Sequence, residues 1–160
     1  MRDSFLPSSH DKILEMLKSE YYPALNNIQV ELKPLKILRK TFMITLPFSN
    51  SIYYNVKVIS KCNEKALKAA LMHELYHLLQ FKRLNILQKF LFIPRYHLDE
   101  KFRRKHEIEA HMAVLDKGFG KELIELNKFV KSRYSKEIWD KKWSKYYLNI
   151  EEIISRKKCS

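Results

Sequence analysis

The sequence predicts an α+β domain in which a helix and a small sheet come first and further helices follow. Within the first sixty residues, three stretches carry alternating or β-branched apolar residues, a pattern typical of strands. From Asn63 onward, apolar residues recur at spacings of three and four, which is typical of helices packed on a core. The chain of 160 residues has the length of one domain and contains no internal repeat.

The first third of the chain is predicted to form one helix and about three strands. Residues 9–20 form the helix, with Ser9 as its N-cap. Strands are predicted at 27–33, 35–46 and 51–60, and the last of these alternates apolar and polar residues like a half-buried strand. The sequence "PFSNS" supplies a turn before the third strand.

The remainder is predicted to be helical apart from one loop. A long helix begins after an N-cap at Asn63 and carries the sequence "ALMHELYHLLQ". The stretch 83–105 is interrupted by Pro94 and is predicted to be a mixed loop. A second helix covers 106–120 and ends at Gly118.

Three short helices are predicted at the C-terminal end. The last of them begins with a capping box, in which Asn149 and Glu152 each bond the backbone of the other. The tail over 137–160, which covers the last two of these helices, is basic and rich in aromatic residues. Its Trp and Tyr side chains are expected either to pack on the core or to fold over a functional cleft.

The formal net charge of +13 comes from basic residues that are spread along the chain. A diffuse basic surface attracts nucleic acid, anionic lipid or acidic polypeptides without selecting among them, and a solvated lysine-rich surface would have the same composition. Charge alone therefore leaves a nucleic-acid partner open.

Cysteine usage and hydropathy indicate a cytoplasmic protein. Cys62 and Cys159 lie far apart and outside any CxxC pattern, which excludes a disulfide scaffold and a thiolate zinc knuckle, although one bridge between them stays open. The N-terminal residues lack the apolar core of a secretory signal. The longest apolar runs are far shorter than the roughly 20 residues that span a bilayer.

The sequence "HELYH" has the pattern of a zinc-peptidase helix. On a helix, His73 and His77 project from one face about one turn apart, so that both imidazoles can reach one metal ion. Glu74 points about a quarter turn away, where it can act as a general base on a water molecule rather than as a ligand. The alternative is a chance match on an amphipathic helix.

A catalytic zinc ion needs a third protein ligand. The extended metzincin motif would place glycine at position 80 and histidine at position 83, but the chain has Gln80 and Arg83, so that class is excluded. The later sequence "HEIEAHMAVL" offers Glu107, and Glu109 lies on the opposite face of the same helix. Lesser candidates are His97, Asp99 and His106.

Together, "HELYH" and "EIEAH" resemble the gluzincin clan of zinc metallopeptidases, and at this length the minigluzincins, small soluble relatives of the HtpX-type peptidases. The resemblance covers about residues 50–120. It implies a zincin-like fold and a Zn²⁺ ion held by His73, His77 and Glu107, with Glu74 as general base and acid.

The resemblance also implies features around the metal. Strand 52–60 would be the rim on which a peptide substrate lies extended. Where the family commonly has an aspartate that orients a zinc histidine, this chain has His111, which we expect to accept a hydrogen bond from a ligand imidazole. Candidates for stabilising the oxyanion are Tyr96, His97, His106 and Tyr134.

The predicted domain organisation is a zincin-like metallopeptidase domain over 1–134 and a helical extension over 135–160 that packs on it. Some small family members are thought to be made as zymogens, and the extension would then be a latency segment. In that case, Cys159 is predicted to cap the zinc ion as a thiolate.

The sequence therefore predicts a zinc endopeptidase that acts on a peptide or protein substrate. Its oligomeric state and cleavage preference are not predicted. Three alternatives stay open: a nucleic-acid-associated protein with a structural zinc, an ImmA-like regulatory peptidase acting on DNA-bound protein, and an inactive peptidase fold that serves as a scaffold.

Overall fold

A computed structural model describes residues 9–35 and 41–157 and confirms the α+β class, with helices dominating. The helices are α1 (Ser9–Tyr21), α2 (Val56–Ile59), α3 (Glu64–Lys82), α4 (Ile86–Leu98), α5 (Glu100–Asp116), α6 (Gly120–Arg133), α7 (Lys136–Ile138), α8 (Ser144–Tyr146) and α9 (Ile150–Lys157). A 3-10 turn occupies Pro23–Leu25, and a π-helical turn, Trp139–Trp143, joins α7 to α8. The strands are β1 (Glu31–Pro34), β2 (Met43–Thr45) and β3 (Ser51–Tyr54).

Among the described residues, the three strands form one sheet in the order β1-β3-β2. Strand β3 pairs in parallel with β1 and antiparallel with β2, and Ile52 at its centre faces both Leu32 and Thr45. The predicted strand over 27–33 begins only at residue 31. Of the predicted strand over 35–46, residues 36–40 lie outside the described part, and 43–45 form β2.

The predicted strand over 51–60 is wrong beyond Tyr54. The side chain of Asn55 accepts a hydrogen bond from the backbone N–H of Lys57 and starts α2, so residues 56–59 are helical. Strand β3 also lies in the centre of the sheet, so it cannot be the rim on which a peptide lies. Strand β2 is at the edge instead.

Helix α3 is the centre of the core. It begins at the predicted cap, where the side chain of Asn63 accepts from the backbone N–H of Ala66. The helix is buried on nearly all sides because α1, α5, α6 and β2 pack around it. A long-range hydrogen bond from the buried Tyr22 hydroxyl to the carbonyl of Met72 fixes its position further.

Helix α4 shows that the predicted loop over 83–105 is wrong. A capping box between Asn85 and Gln88 begins the helix. Pro94 lies inside it and removes the hydrogen bond that the carbonyl of Phe90 would accept. Both residues are exposed, so water can hydrate that carbonyl and the helix continues through the proline.

Helix α5 begins earlier than predicted. The side chain of Asp99 accepts from the backbone N–H of Phe102 and caps a helix that starts at residue 100 rather than 106. The turn that ends it contains Gly118, which has a φ of 86°, a conformation that glycine adopts without strain. At its start, α5 is separated from the end of α4 at Leu98 by Asp99 alone.

The C-terminal helices are part of the core. Leu148 and Ile153 are fully buried in the main hydrophobic cluster. The predicted capping box of α9 is confirmed by the reciprocal bonds between Asn149 and Glu152. Within residues 9–35 and 41–157, no helix combines the length and apolar character needed to cross a membrane.

Candidate metal centre

Helix α3 places His73 and His77 one turn apart with their Nε2 atoms only 2.9 Å from each other. Helix α5 brings Oε2 of Glu107 to 3.1 Å from Nε2 of His73 and to 3.5 Å from Nε2 of His77. All three side chains are buried. Three potential ligand atoms from two helices therefore converge on one small volume, and this group can hold a metal ion.

The spacing of these atoms suits a tetrahedral ion. Ligand atoms about 2.0–2.1 Å from such an ion lie about 3.3–3.4 Å from one another. The observed separations of 2.9, 3.1 and 3.5 Å fall around that value. Two imidazole nitrogens and one carboxylate oxygen also form a donor set typical of zinc and of other first-row divalent metals.

The electrostatics of the cluster keep the carboxylate ionised. Burial would lower the pKa of His77, but the adjacent Glu107 carboxylate outweighs it and raises this pKa to about 9. Burial would likewise raise the pKa of Glu107, but the charge on His77 and hydrogen bonds from both histidines hold it well below its usual range. The Glu107 carboxylate therefore stays ionised beside a protonated His77, and a cation that binds here takes the place of that proton.

Gln80 orients the His77 ring. Nδ1 of His77 donates to Oε1 of Gln80 over 2.8 Å, and Nε2 of Gln80 donates to Oε2 of Glu109 over 3.1 Å. With Nδ1 held as a donor to Gln80, Nε2, which faces His73 and Glu107, is the nitrogen that gives up its proton to a metal ion. In many zinc sites a carboxylate accepts the hydrogen bond from this N–H and fixes the orientation of the ring. Here the Gln80 amide accepts it, and Glu109 holds the amide in place; we call this chain of hydrogen bonds the relay.

A Gln80→Leu variant is expected to bind metal 10–100-fold more weakly than the native chain, because His77 loses the acceptor that fixes its tautomer. Competition with a fluorescent zinc chelator measures the change in affinity. A Gln29→Leu variant is a matched control, since Gln29 is exposed and distant in sequence from the ligands. Equal affinity in both variants would show that the relay does not support the site.

Tyr96 fixes the other oxygen of Glu107. Its hydroxyl donates a hydrogen bond to Oε1 of Glu107. Burial, with a further contribution from Glu107, raises the pKa of Tyr96, so the phenol keeps its proton. Tyr96 is one of the predicted oxyanion stabilisers, and the structure places its hydroxyl on the carboxylate of Glu107.

His111 lies beside His73 but makes a different hydrogen bond from the one expected. The two rings meet edge to face with centroids 5.1 Å apart. Nδ1 of His111 accepts from the backbone N–H of Leu148 over 3.3 Å, and burial holds the pKa of His111 well below its usual range. Nδ1 of His73 is buried and has no hydrogen-bond partner among the described residues.

Glu74 is held by the edge strand of the sheet. Its Oε2 atom accepts a hydrogen bond of 2.7 Å from Oγ1 of Thr45 in β2, and the carboxylate is buried. Glu74 points into the same cavity as the three converging side chains without being one of them. Glu74 thus stays apart from the converging group in the folded chain, although it lies between the two histidines in the sequence.

The cavity has a volume of about 350 Å³ and opens between β2, α3, α4, α5 and the C-terminal segment. His97 and Tyr134, two predicted oxyanion candidates, line it. His106 stacks on His77 at 5.2 Å between centroids, and burial lowers its pKa to about 3, so it is neutral at physiological pH. Asp99 serves as the cap of α5 rather than as a ligand.

Three residues of the site were not anticipated from the sequence: Thr45, Gln80 and Arg103. Gln80 lies three residues after His77 on the same helix face, a spacing that could have indicated contact. Arg103 lines the cavity with its guanidinium 4.0 Å above the ring of Tyr146. Comparisons of the chain with protein-family models, with curated proteins and with solved structures give no match.

Proposed function

We propose that this chain is a zinc-dependent endopeptidase of gluzincin type, with a zincin-like fold similar to that of the minigluzincins. One observation carries the proposal: His73, His77 and Glu107 converge at one side of a cavity, and Glu74 faces that cavity from the adjacent position. Structural zinc sites use four protein ligands, whereas catalytic ones use three and leave a position open.

The chain's own residues supply the proton transfers of amide hydrolysis. Zinc held by the two histidines and Glu107 would act as a Lewis acid that polarises the scissile carbonyl and lowers the pKa of water. Glu74 would take a proton from the attacking water and pass it to the leaving amine. The hydrogen bond from Thr45 holds Glu74 in one orientation for both transfers.

Strand β2 is the proposed rim for the substrate. It lies at the edge of the described sheet, and the segment 41–47 lines the cavity. An extended peptide can add to such an edge through backbone hydrogen bonds, which bring its scissile bond across the mouth of the cavity. This replaces the rim expected over 52–60.

The C-terminal segment supports the proposal of latency. The ring of Tyr147 lies 6.0 Å from that of His73 and 5.2 Å from that of His111, and Trp143 stacks on it at 4.6 Å. Both aromatic residues line the cavity. Cys159 lies outside the described residues, so its capping of the zinc ion stays a prediction.

The nucleic-acid alternatives stay predictions. The charge of +13 is their support, but a purely structural zinc would give Glu74 no role. An ImmA-like regulatory peptidase would use the same four side chains, so it differs from the main proposal only in its substrate. Salt-sensitive DNA binding that persists in a Glu74→Gln variant without any proteolysis would favour the binding function.

Glu74→Gln is the variant that tests the proposed function. We expect it to keep its metal and to lose at least about a hundredfold of the hydrolysis of a denatured protein, because general acid–base catalysis contributes about 10²–10⁴-fold. Cleavage is measured by mass spectrometry in native and Tyr147→Ala backgrounds, so that latency does not hide it. Glu151→Gln, which changes an exposed glutamate of α9, is the matched control. Equal cleavage by both variants would contradict the proposal.

A further inference from the structure

Helix α4 turns an almost entirely apolar face toward solvent. Phe92 and Tyr96 point inward, whereas six other apolar side chains are exposed. Their exposed fractions are Ile86 72%, Leu87 66%, Phe90 63%, Leu91 57%, Ile93 43% and Leu98 84%. At 100° per residue these positions and Pro94 cover nearly half of the helix circumference, and His97 is the polar residue among them.

The apolar face continues onto the turn after β2. The rings of Phe48 and Phe90 pack together with centroids 4.8 Å apart, and Leu46 is 41% exposed beside Pro47. We call the eight residues Leu46, Phe48, Ile86, Leu87, Phe90, Leu91, Ile93 and Leu98 the apolar ridge. In the described part of the chain, eight of the eleven exposed large hydrophobic residues belong to it, so the exposure is concentrated at one place rather than scattered.

The segments that build the ridge contain basic residues and no acidic ones. The sequence has no Asp or Glu between Glu31 and Glu64, or between Glu74 and Asp99. Within the second interval the basic residues are Lys82, Arg83, Lys89 and Arg95, of which all but Lys89 are exposed. Arg95 is paired with Asp99, the residue that follows α4, at 3.6 Å. An apolar face flanked by cationic side chains is the pattern of a helix that lies in the interface of an anionic bilayer.

We propose that the apolar ridge binds an anionic lipid surface, with α4 lying in the plane of the interface. A helix of 13 residues is about 20 Å long, too short for a hydrocarbon core of about 30 Å, so it lies on the membrane rather than across it. A second copy of the chain would bring two ridges flanked by like charges together, which opposes self-association. The proposal does not depend on the peptidase proposal.

Flotation with lipid vesicles tests this inference. The native chain is expected to bind vesicles that contain phosphatidylglycerol at least about tenfold more tightly than vesicles of phosphatidylcholine alone, and less tightly as salt rises. A Leu87→Ser/Phe90→Ser variant is expected to lose about tenfold in affinity for each residue, since two exposed apolar side chains no longer enter the interface. Both positions are exposed, so the fold should persist, as circular dichroism can verify.

Matched controls separate the ridge from the general charge. Met16→Ser removes an exposed apolar side chain from α1 and should leave vesicle binding unchanged. Equal binding by the ridge variant and the native chain would overturn the proposal in favour of diffuse charge attraction. Absence of vesicle binding, or a native dimer that the ridge variant dissociates in sedimentation equilibrium, would also overturn it. Because the readout is binding, these outcomes are separate from any failure of proteolysis.

Discussion

Replacing His73 by alanine is expected to reduce the metal content from about one ion per chain to less than about one tenth. The three converging ligand atoms lie within 4.8 Å of one another, and the loss of one imidazole leaves two ligands and a cavity in their place. We expect affinity to fall by at least about a thousandfold, which corresponds to about 4 kcal/mol. Elemental mass spectrometry after dialysis measures the stoichiometry.

Two further variants make this prediction specific to the proposed ligands. Glu107→Gln removes the buried negative charge and is expected to weaken binding without disturbing the shape of the site. His97→Ala is the matched control, because His97 lines the same cavity but is exposed and outside the converging group. Metal retained by His73→Ala, or lost only from His97→Ala, would contradict the ligand assignment.

Removal of residues 136–160 is expected to unfold the chain or bring it close to unfolding. Tyr146, Leu148 and Ile153 are each less than a tenth exposed, and burial of each such side chain contributes about 1.5–3 kcal/mol. A combined loss of about 5 kcal/mol or more is comparable with the whole free energy of unfolding of a typical domain. Urea denaturation followed by circular dichroism measures it, and a chain ending at residue 157 is the control.

Truncation alone is therefore a poor test of latency. A truncated chain that shows no proteolysis would be uninformative if it is unfolded, so substitution at the cavity is the better approach. Tyr147→Ala removes the ring that lies next to His73 and His111 while it leaves Leu148 and Ile153 in the core. A truncated chain with native stability would show that the C-terminal helices do not contribute to the core as their burial indicates.

Local signals in the sequence were sufficient to predict α1 and α3 and the pair of histidines that comes together on α3. Asn63 caps α3 as predicted, and the spacing of His73 and His77 brings their Nε2 atoms together because both lie on one helix. Helix α4 was missed because Pro94 is a strong local signal against a helix, while the capping box and the exposure of Pro94 are properties of the folded chain.

The parts of the site that were not predicted depend on contacts between distant segments. Thr45 reaches Glu74 from a strand 29 positions earlier, and Gln80 meets Glu109 across 29 positions. The prediction of a strand over 51–60 was wrong for a local reason, because Asn55 caps the short helix α2. The alternating pattern of apolar residues in this stretch does not reveal that helix. Periodicity indicates which face of an element is apolar, but not which strand becomes the edge.

X-ray absorption spectroscopy on the zinc-loaded chain, native and Glu107→Gln, identifies the atoms that hold the metal ion. The ligand assignment to His73, His77 and Glu107 predicts a first shell of nitrogen and oxygen without sulfur, containing two imidazoles, and a shell that changes when Glu107 is replaced. A sulfur ligand, a single imidazole, or a spectrum that is the same in both chains would contradict it, because the metal would then lie somewhere other than between His73, His77 and Glu107.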